Sequence, residues 1–333
     1  MRYPDGYRKR RALVLGASGF IGRWVARELT AAGADLVLAA RDPHAIAALA
    51  PGYGLRGNTH QVDLEQPGAA RRLIAAVRPD IVFNLAGYGV DRSERLAARA
   101  RRINTELVEE LLSALAKRPE TDWPGLALVH AGSALEYGEV GGNLDEATHP
   151  NPTTDYGRTK LAGTQLVVRA VAEGSLAAVT ARLFTVYGPG EPEGRLLPTL
   201  LQGAASDGSI PLTAGAQQRD FTFVADVAEG LLRLGLLPEP TYSVVNLATG
   251  KLCQVKDFVL EAARVLRIDS NRLGFGVLPS RPDDMRHSEV HTARLHGLLR
   301  WGPSTDLEGG IRATAEFLRR MSGEAAKGGR DGV

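Results

Sequence analysis

Leu13-Val14-Leu15-Gly16-Ala17-Ser18-Gly19-Phe20-Ile21-Gly22 is the stretch whose reading decides the fold. Residues 12–15 form a short apolar run without polar alternation, the pattern of a strand buried on both faces. Residues 21–29 then carry apolar side chains at helical spacing. A strand that passes into a helix through a glycine turn is a βα unit. Gly16 permits the tight turn, Gly19 lets backbone N–H groups come close to a phosphate, and Gly22 lets the helix settle on the strand. The helix N-terminus faces an anion in such a unit, so Ser18, Phe20 and Ile21 join the glycines as candidate cofactor contacts. The spacing is GxxGxxG rather than GxGxxG, and a glycine turn without a ligand is the competing reading of this stretch by itself.

Outward from that unit the alternation continues. Gly33 breaks the helix, and residues 35–40 read as a second strand ending at Ala40-Arg41. An acidic residue at this strand end accepts hydrogen bonds from the ribose hydroxyls of NAD. Arg41 stands there instead, and a guanidinium can grip a 2′-phosphate in a fork, which favours NADP with NAD as the alternative. Asp42-Pro43 reads as N-cap and first-turn proline of the next helix, which accounts for that carboxylate. A third strand, 59–62, ends in Asp63 and Leu64, both candidate cofactor contacts; Asp63 is either an acceptor for the adenine amino group or a loop cap. A helix over about 67–77 follows. The fourth strand, 81–87, ends in Leu85, Ala86 and Gly87, where a cofactor can approach, and a long helix over 96–116 carries Asn104, a further candidate contact. The fifth strand, 126–130, runs on into Ala131-Gly132-Ser133. Strands and helices alternating at this period predict an α/β fold with a doubly wound parallel sheet, whose ligands sit at the carboxyl ends of the strands. Ser133 lies at such an end.

After a proline-rich loop, Tyr156-Gly157-Arg158-Thr159-Lys160 opens another helix. Residues four apart share a helix face, so the phenol and the ammonium converge. A nearby cation lowers the proton affinity of a tyrosine, which fits Tyr156 to exchange a proton with a substrate oxygen. A YxxxK spacing alone is common; the information lies in the ordered set of glycine turn, Ser133, Tyr156 and Lys160.

With those residues the sequence resembles the extended short-chain dehydrogenase/reductase family, the NAD(P)-dependent epimerases, dehydratases and reductases of nucleotide sugars. The resemblance covers almost the whole chain. It includes the glycine turn, the Ser133, Tyr156 and Lys160 triad, Arg182-Leu183-Phe184-Thr185-Val186-Tyr187-Gly188-Pro189, Arg219-Asp220-Phe221-Thr222-Phe223-Val224 with Asp226-Val227, and Arg281-Pro282 before Leu299-Arg300-Trp301. It implies that Lys160 also holds the nicotinamide ribose, that Ser133 orients the reacting carbonyl, and that Thr185, Arg219 and Arg281 reach the substrate. For either arginine a salt bridge between domains is the alternative. The resemblance further implies a Rossmann unit, residues 8–183 with 222–249, and a smaller C-terminal α/β substrate domain, residues 184–221 with 250–322. A helix is read over 196–205, a late strand over 244–247 that returns to the large sheet, and helices over 255–266 and 311–320. Residues 323–333 are expected to be a disordered tail, because their end is glycine-rich and charged.

Within the family, dehydratases carry an acid just after the catalytic serine or threonine. Here Ala134 and Leu135 stand there, and Glu136 comes one position too late. The run 132–138 looks like the segment of GDP-4-keto-6-deoxymannose reductases and their relatives, while Thr185 stands where many members have asparagine. The expected activity is NADPH-dependent reduction of a nucleotide-linked 4-keto-6-deoxyhexose. The alternatives are a 4-epimerase with bound NAD, a dehydratase, or a non-catalytic cofactor sensor, which would not need the tyrosine. The resemblance also implies a homodimer through the helices over 96–116 and 154–172.

Composition excludes other classes. The chain is 44% hydrophobic and 23% charged with a net charge of +2, and no apolar run approaches a membrane span, so neither a membrane nor a nucleic acid is an expected partner. Cys253 is the one cysteine, which rules out an intrachain disulfide and makes a reducing cytoplasm the default. His287, His291 and His296 cluster without a third ligand type nearby, so no metal site is expected.

Overall fold

The structure, a computed structural model, describes residues 5–89, 94, 96–119, 121–279 and 288–328. Strand β1 (Arg11–Leu15) leads through the glycine turn to α1 (Phe20–Ala31), and β2 (Asp35–Ala40), α2 (Pro43–Tyr53), β3 (Asn58–Gln61), α3 (Ala69–Val77) and β4 (Ile81–Asn84) keep the alternation. Next come α4 (Ala97–Arg101), a π-helical turn (Arg102–Glu106), α5 (Leu107–Ala116), β5 (Leu128–Ser133), the short β6 (Asn143–Leu144), α6 (Asp155–Ala172), β7 (Ala178–Leu183) and β8 (Thr185–Tyr187). The remainder comprises α7 (Leu196–Ala204), β9 (Ile210–Pro211), β10 (Gln218–Phe223), α8 (Val224–Gly235), β11 (Val244–Leu247), β12 (Leu252–Gln254), α9 (Val255–Leu266), β13 (Leu273–Gly274), β14 (Glu289–Val290), α10 (Ala293–Leu299) and α11 (Leu307–Gly328).

Seven strands pair in parallel in the order β3-β2-β1-β4-β5-β7-β11, the doubly wound arrangement expected from the alternation. β1 explains itself by its two faces. Ala12 and Val14 join Trp24, Val25 and Leu29 of α1 and Leu231 of α8, while Leu13 and Leu15 join Leu73 and Ile74 of α3 and Leu107 and Leu111 of α5. Successive side chains of a strand point to opposite faces, so a strand covered on both sides reads as a continuous apolar run. The chain turns from β1 toward β2 on one side and comes back to β4 on the other. The crevice this opens at the strands' carboxyl ends is where the glycine turn, residues 85–87 and Ser133 lie.

Several expected boundaries shift. The helix expected over 96–116 is interrupted by the π turn, and β4 stops at Asn84, leaving residues 85–87 to leave the sheet. α11 runs to Gly328, well past the expected 320 and into the expected tail; residues 329–333 lie outside the described residues. Beyond Gly188, where regular alternation lapses, β8, β10 and β12 form a small three-stranded sheet of their own. Its β8 continues directly from β7 of the large sheet, and one continuous buried apolar cluster includes Val14, Phe83, Leu200, Phe258 and Ile311. The smaller unit therefore shares the core of the larger one. Among the described residues no helix is long and apolar enough to cross a membrane.

Candidate active site

The glycine turn is shaped by close backbone approach. Gly16 has φ +74°, and a Cβ there would stand 2.8 Å from the Leu85 carbonyl oxygen and 2.9 Å from the Ala86 nitrogen. A Cβ on Gly22 would fall 2.1 Å from the Gly16 carbonyl oxygen, so the helix settles on the turn itself as well as on the strand. Gly19 is the N-cap of α1 and offers no side-chain cap, so no cap side chain satisfies the first N–H groups of the helix. Arg23 braces the turn from behind, donating to the Gly19 and Ser18 carbonyls at 3.1 Å each. Phe20 and Ile21 are half-buried against the apolar core.

Ser133 ends β5 and caps a 3₁₀ turn, its Oγ accepting the Leu135 N–H at 3.2 Å. α6 begins behind Thr154, whose side chain accepts the Gly157 N–H at 3.0 Å. Gly157 presses on the Ser133 turn so closely that a Cβ would stand 2.4 Å from the Leu135 carbonyl oxygen. This contact brings the first turns of α6 against Ser133, whose side chain is near enough to the Tyr156 hydroxyl to lower its pKa. Lys160, one turn on, is 2% exposed, and no carboxylate contacts it among the described residues.

The electrostatics differ from the sequence expectation. Burial, with the negative charge of Glu136, holds Tyr156 above its ordinary pKa, against the weaker opposing effects of the Ser133 hydrogen bond and Arg195. The net shift is upward rather than the lowering expected from Lys160, because desolvation of the phenolate outweighs the influences that lower it. Burial pushes Lys160 down to about 8, while Glu136 acts in the opposite direction. His130, completely buried on β5, is kept neutral by burial and by Lys160; its Nδ1 faces Asn84 Nδ2 at 3.1 Å.

Glu136 itself escaped the sequence reading as a partner of the triad. It is fully buried and ion-paired to Arg182 at 2.9 Å, not presented to the crevice as an acid for elimination. A capping box of Ser133 with an acid three residues later was the signal that could have found it.

At the other end of the crevice, Asp42 caps α2 by accepting the His44 N–H at 2.9 Å, as its sequence predicts. Arg41 is paired with Glu65 at 3.2 Å, and the same carboxylate oxygen accepts from Arg99. Glu65 comes from the turn after β3, so no inspection of the β2 end alone could reveal it. Asp63 accepts from the Glu65 N–H at 3.0 Å and from Gln66 at 3.2 Å, the loop-cap geometry, and the first of these bonds holds its pKa below the usual carboxylate range. Leu64 lies beside it, half-buried against the apolar layer of α3 and α5. Asn104, buried in the π turn, accepts the Tyr88 N–H at 3.0 Å and donates to the Tyr88 carbonyl at 2.8 Å and to Thr159 at 3.0 Å. Both amide hydrogens are thus engaged in fastening the segment after β4 to α6. Thr185 opens β8 two residues beyond Leu183, the register neighbour of Ser133, and Arg219 lies on the adjoining β10, half-buried, with Nη1 donating to the Gln218 carbonyl at 2.7 Å. Arg281 lies outside the described residues, as does His287; among the described residues no group of side chains is arranged to hold a metal ion.

A turn that a Cβ would obstruct, an uncapped helix N-terminus beside it and a buried lysine without a carboxylate partner together fit a dinucleotide. A sequence profile of the NAD dependent epimerase/dehydratase family matches residues 12–248. A dTDP-6-deoxy-L-talose 4-dehydrogenase (NAD(P)(+)) of Kitasatospora kifunensis is 34% identical over 262 residues, covering 75% of this chain and 77% of that protein. Among solved structures, MoeE5 in complex with UDP-glucuronic acid and NAD is 26% identical with a TM-score of 0.77, covering 93% of this chain and 99% of that one. RMD from Pseudomonas aeruginosa complexed with NADPH is 25% identical with a TM-score of 0.74, covering 94% and 98%. Glycine turn, sheet order and sequence kinship agree: the chain belongs to the NAD dependent epimerase/dehydratase family, extended short-chain dehydrogenase/reductases that modify nucleotide sugars with NAD(P).

Proposed function

We propose that this protein is an NADPH-dependent reductase of a nucleotide-linked 4-keto-6-deoxyhexose, with Ser133, Tyr156 and Lys160 as its catalytic residues. The observation that carries the reading is the packing of the start of α6 on the Ser133 turn, which sets Tyr156 beside Ser133 one turn from the buried Lys160, an arrangement suited to moving a proton to an oxygen. The kinship with a 4-dehydrogenase of a dTDP-6-deoxyhexose supports the choice of carbon and substrate class.

When bound, the nicotinamide supplies the hydride that reduces the carbonyl carbon. Ser133 Oγ holds the carbonyl oxygen, and Tyr156 transfers its hydroxyl proton to that oxygen as the alcohol forms. The Lys160 ammonium stabilises the phenolate left behind until a proton from solvent restores it. The N–H groups at the start of α1 and the turn at residues 16–22 hold the cofactor diphosphate, with Leu85, Ala86 and Gly87 beside it and Lys160 at the nicotinamide ribose. Asp63 and Leu64 border the adenine, Asn104 acts through the segment it fastens, and Arg41 grips the 2′-phosphate once Glu65 releases it. Thr185 and Arg219 meet the nucleotide sugar, joined by Arg281. A homodimer through α5 and α6 completes the reading.

A second reading has one observation in its favour. Glu65 on Arg41 puts a carboxylate where a ribose hydroxyl of NAD could be accepted, which suits a 4-epimerase that keeps NAD bound. The experiment that separates the two follows NADPH absorbance with GDP-, dTDP-, UDP- and CDP-linked 4-keto-6-deoxyhexoses. Consumption matched by an equal amount of reduced sugar is expected. No consumption with any donor, together with isomerisation of an intact nucleotide sugar without added cofactor, would establish the epimerase instead.

A further inference from the structure

One fully buried carboxylate beside the triad has no part in the reaction as derived above. Glu136 Oε1 accepts the Ser133 backbone N–H at 2.8 Å and the Thr164 hydroxyl at 3.0 Å, and Oε2 accepts Arg182 Nε at 2.9 Å. Thr164 stands four residues after Lys160 on the same face of α6. The carboxylate therefore ties together the end of β5, the lysine-bearing face of α6 and, through Arg182, strand β7. Gly132 leaves room for it, since a Cβ there would stand 2.7 Å from Glu136 Oε1. Arg182 is held in turn against the Tyr137 ring at 4.4 Å, and Tyr137 donates to Asn246 at 2.7 Å. Stability alone gives little reason for such a pair, because well-packed apolar residues of the same volume usually serve a core as well.

We propose that Glu136 is a positioning residue that keeps both proton-carrying groups of this site protonated: fixed between Ser133, Thr164 and Arg182, it sets one negative charge beside both Tyr156 and Lys160. The proposal rests on the triad reading above and deepens it. The charged and titratable groups that act on Tyr156 are Glu136, Arg195 and Glu94, with the Ser133 side chain opposing the two carboxylates; those around Lys160 are Glu136 and the neutral His130. A neighbouring negative charge favours the protonated form of each group. Removing it shifts both toward lower pH, so the two effects reinforce one another. The alkaline limb of the reduction, which needs protonated Tyr156, moves to lower pH. The acid limb of the reverse oxidation, which needs the phenolate, moves the same way.

The test reads Lys160 directly and turnover separately. The pH titration of the Lys160 ¹³Cε resonance, assigned through Lys160→Met, is compared among the wild type, Glu136→Gln, the double variant Glu136→Gln/Arg182→Met and Glu136→Asp. Glu136→Gln keeps an acceptor for the Ser133 N–H but leaves Arg182 unpaired; the double variant removes both buried charges and guards against a folding defect. A midpoint near 8 is expected for the wild type. It should lie about one pH unit lower in the two charge-removing variants and near the wild-type value in Glu136→Asp. Both kinetic limbs should move down with it. An unmoved midpoint and unmoved limbs, with only a lower kcat, would mean a merely structural role and overturn the proposal. The Lys160 titration needs no substrate, so it separates the two ideas: full turnover in Tyr156→Phe defeats the triad reading, whereas a dead Tyr156→Phe with unshifted Glu136→Gln defeats only this one.

Discussion

Tyr156→Phe removes one hydroxyl and leaves the ring in place. If Tyr156 is the proton donor, turnover falls by a factor of about 10²–10⁴, the usual contribution of a positioned general acid. NADPH affinity, followed by fluorescence titration, should stay near the wild-type value if the glycine turn, not the tyrosine hydroxyl, carries most of the cofactor binding. Arg41 and Glu65 pose a different question at the same scale. Their pair is exposed and contributes little to stability, so it is free to exchange partners. Arg41→Ala should weaken NADPH much more than NADH. Glu65→Gln should favour NADPH over NADH by several-fold, since about 1 kcal/mol of competition is then absent. Equal changes for both cofactors in a side-by-side binding series would show that neither residue meets the 2′-phosphate. Arg41 is visible from its place at the end of β2, whereas Glu65 reaches it from the next crossover, 24 residues away.

At the scale of elements, the glycine turn and α6 are built by contacts at which a single methyl group is too much. Gly22→Ala would drive a Cβ into the Gly16 carbonyl oxygen. The helix must then move off the turn, at a cost of about 1–3 kcal/mol, the range for overpacking. If the N–H groups at the start of α1 hold the cofactor diphosphate, dinucleotide binding should weaken by more than the loss of stability explains. Calorimetry and cofactor titration of the same variant check both parts. The helix expected over 96–116 shows the limit of periodicity. Its apolar spacing continues through the π turn, yet Asn104 finds Tyr88 and Thr159 as partners only after the segment following β4 has come alongside α6. Hydrogen bonds to residues distant in sequence leave no periodic trace.

At the scale of the whole molecule, the buried apolar cluster passes without a break from the large sheet into the helices of the smaller unit. Unfolding should accordingly follow one cooperative calorimetric transition, and two separate transitions would contradict a shared core. NADPH at about 100 times its dissociation constant should stabilise that transition by about 2.7 kcal/mol, through binding to the folded state alone.

The sequence by itself determined the doubly wound sheet, the glycine turn and the positions of Ser133, Tyr156 and Lys160. Those features depend on local chemistry: two-residue and 3.6-residue periods, a backbone that only glycine tolerates, and four-residue spacing on a helix. Tertiary structure alone decided the charge state of the site. The fold strips water from both Tyr156 and Lys160, which raises the pKa of Tyr156 and lowers that of Lys160, and sets Glu136 beside them, raising both; Glu136 is held by Arg182, 46 residues further along the chain. Desolvation and fixed charge depend on what surrounds a group in space, and neighbours in space on this sheet are seldom neighbours in sequence.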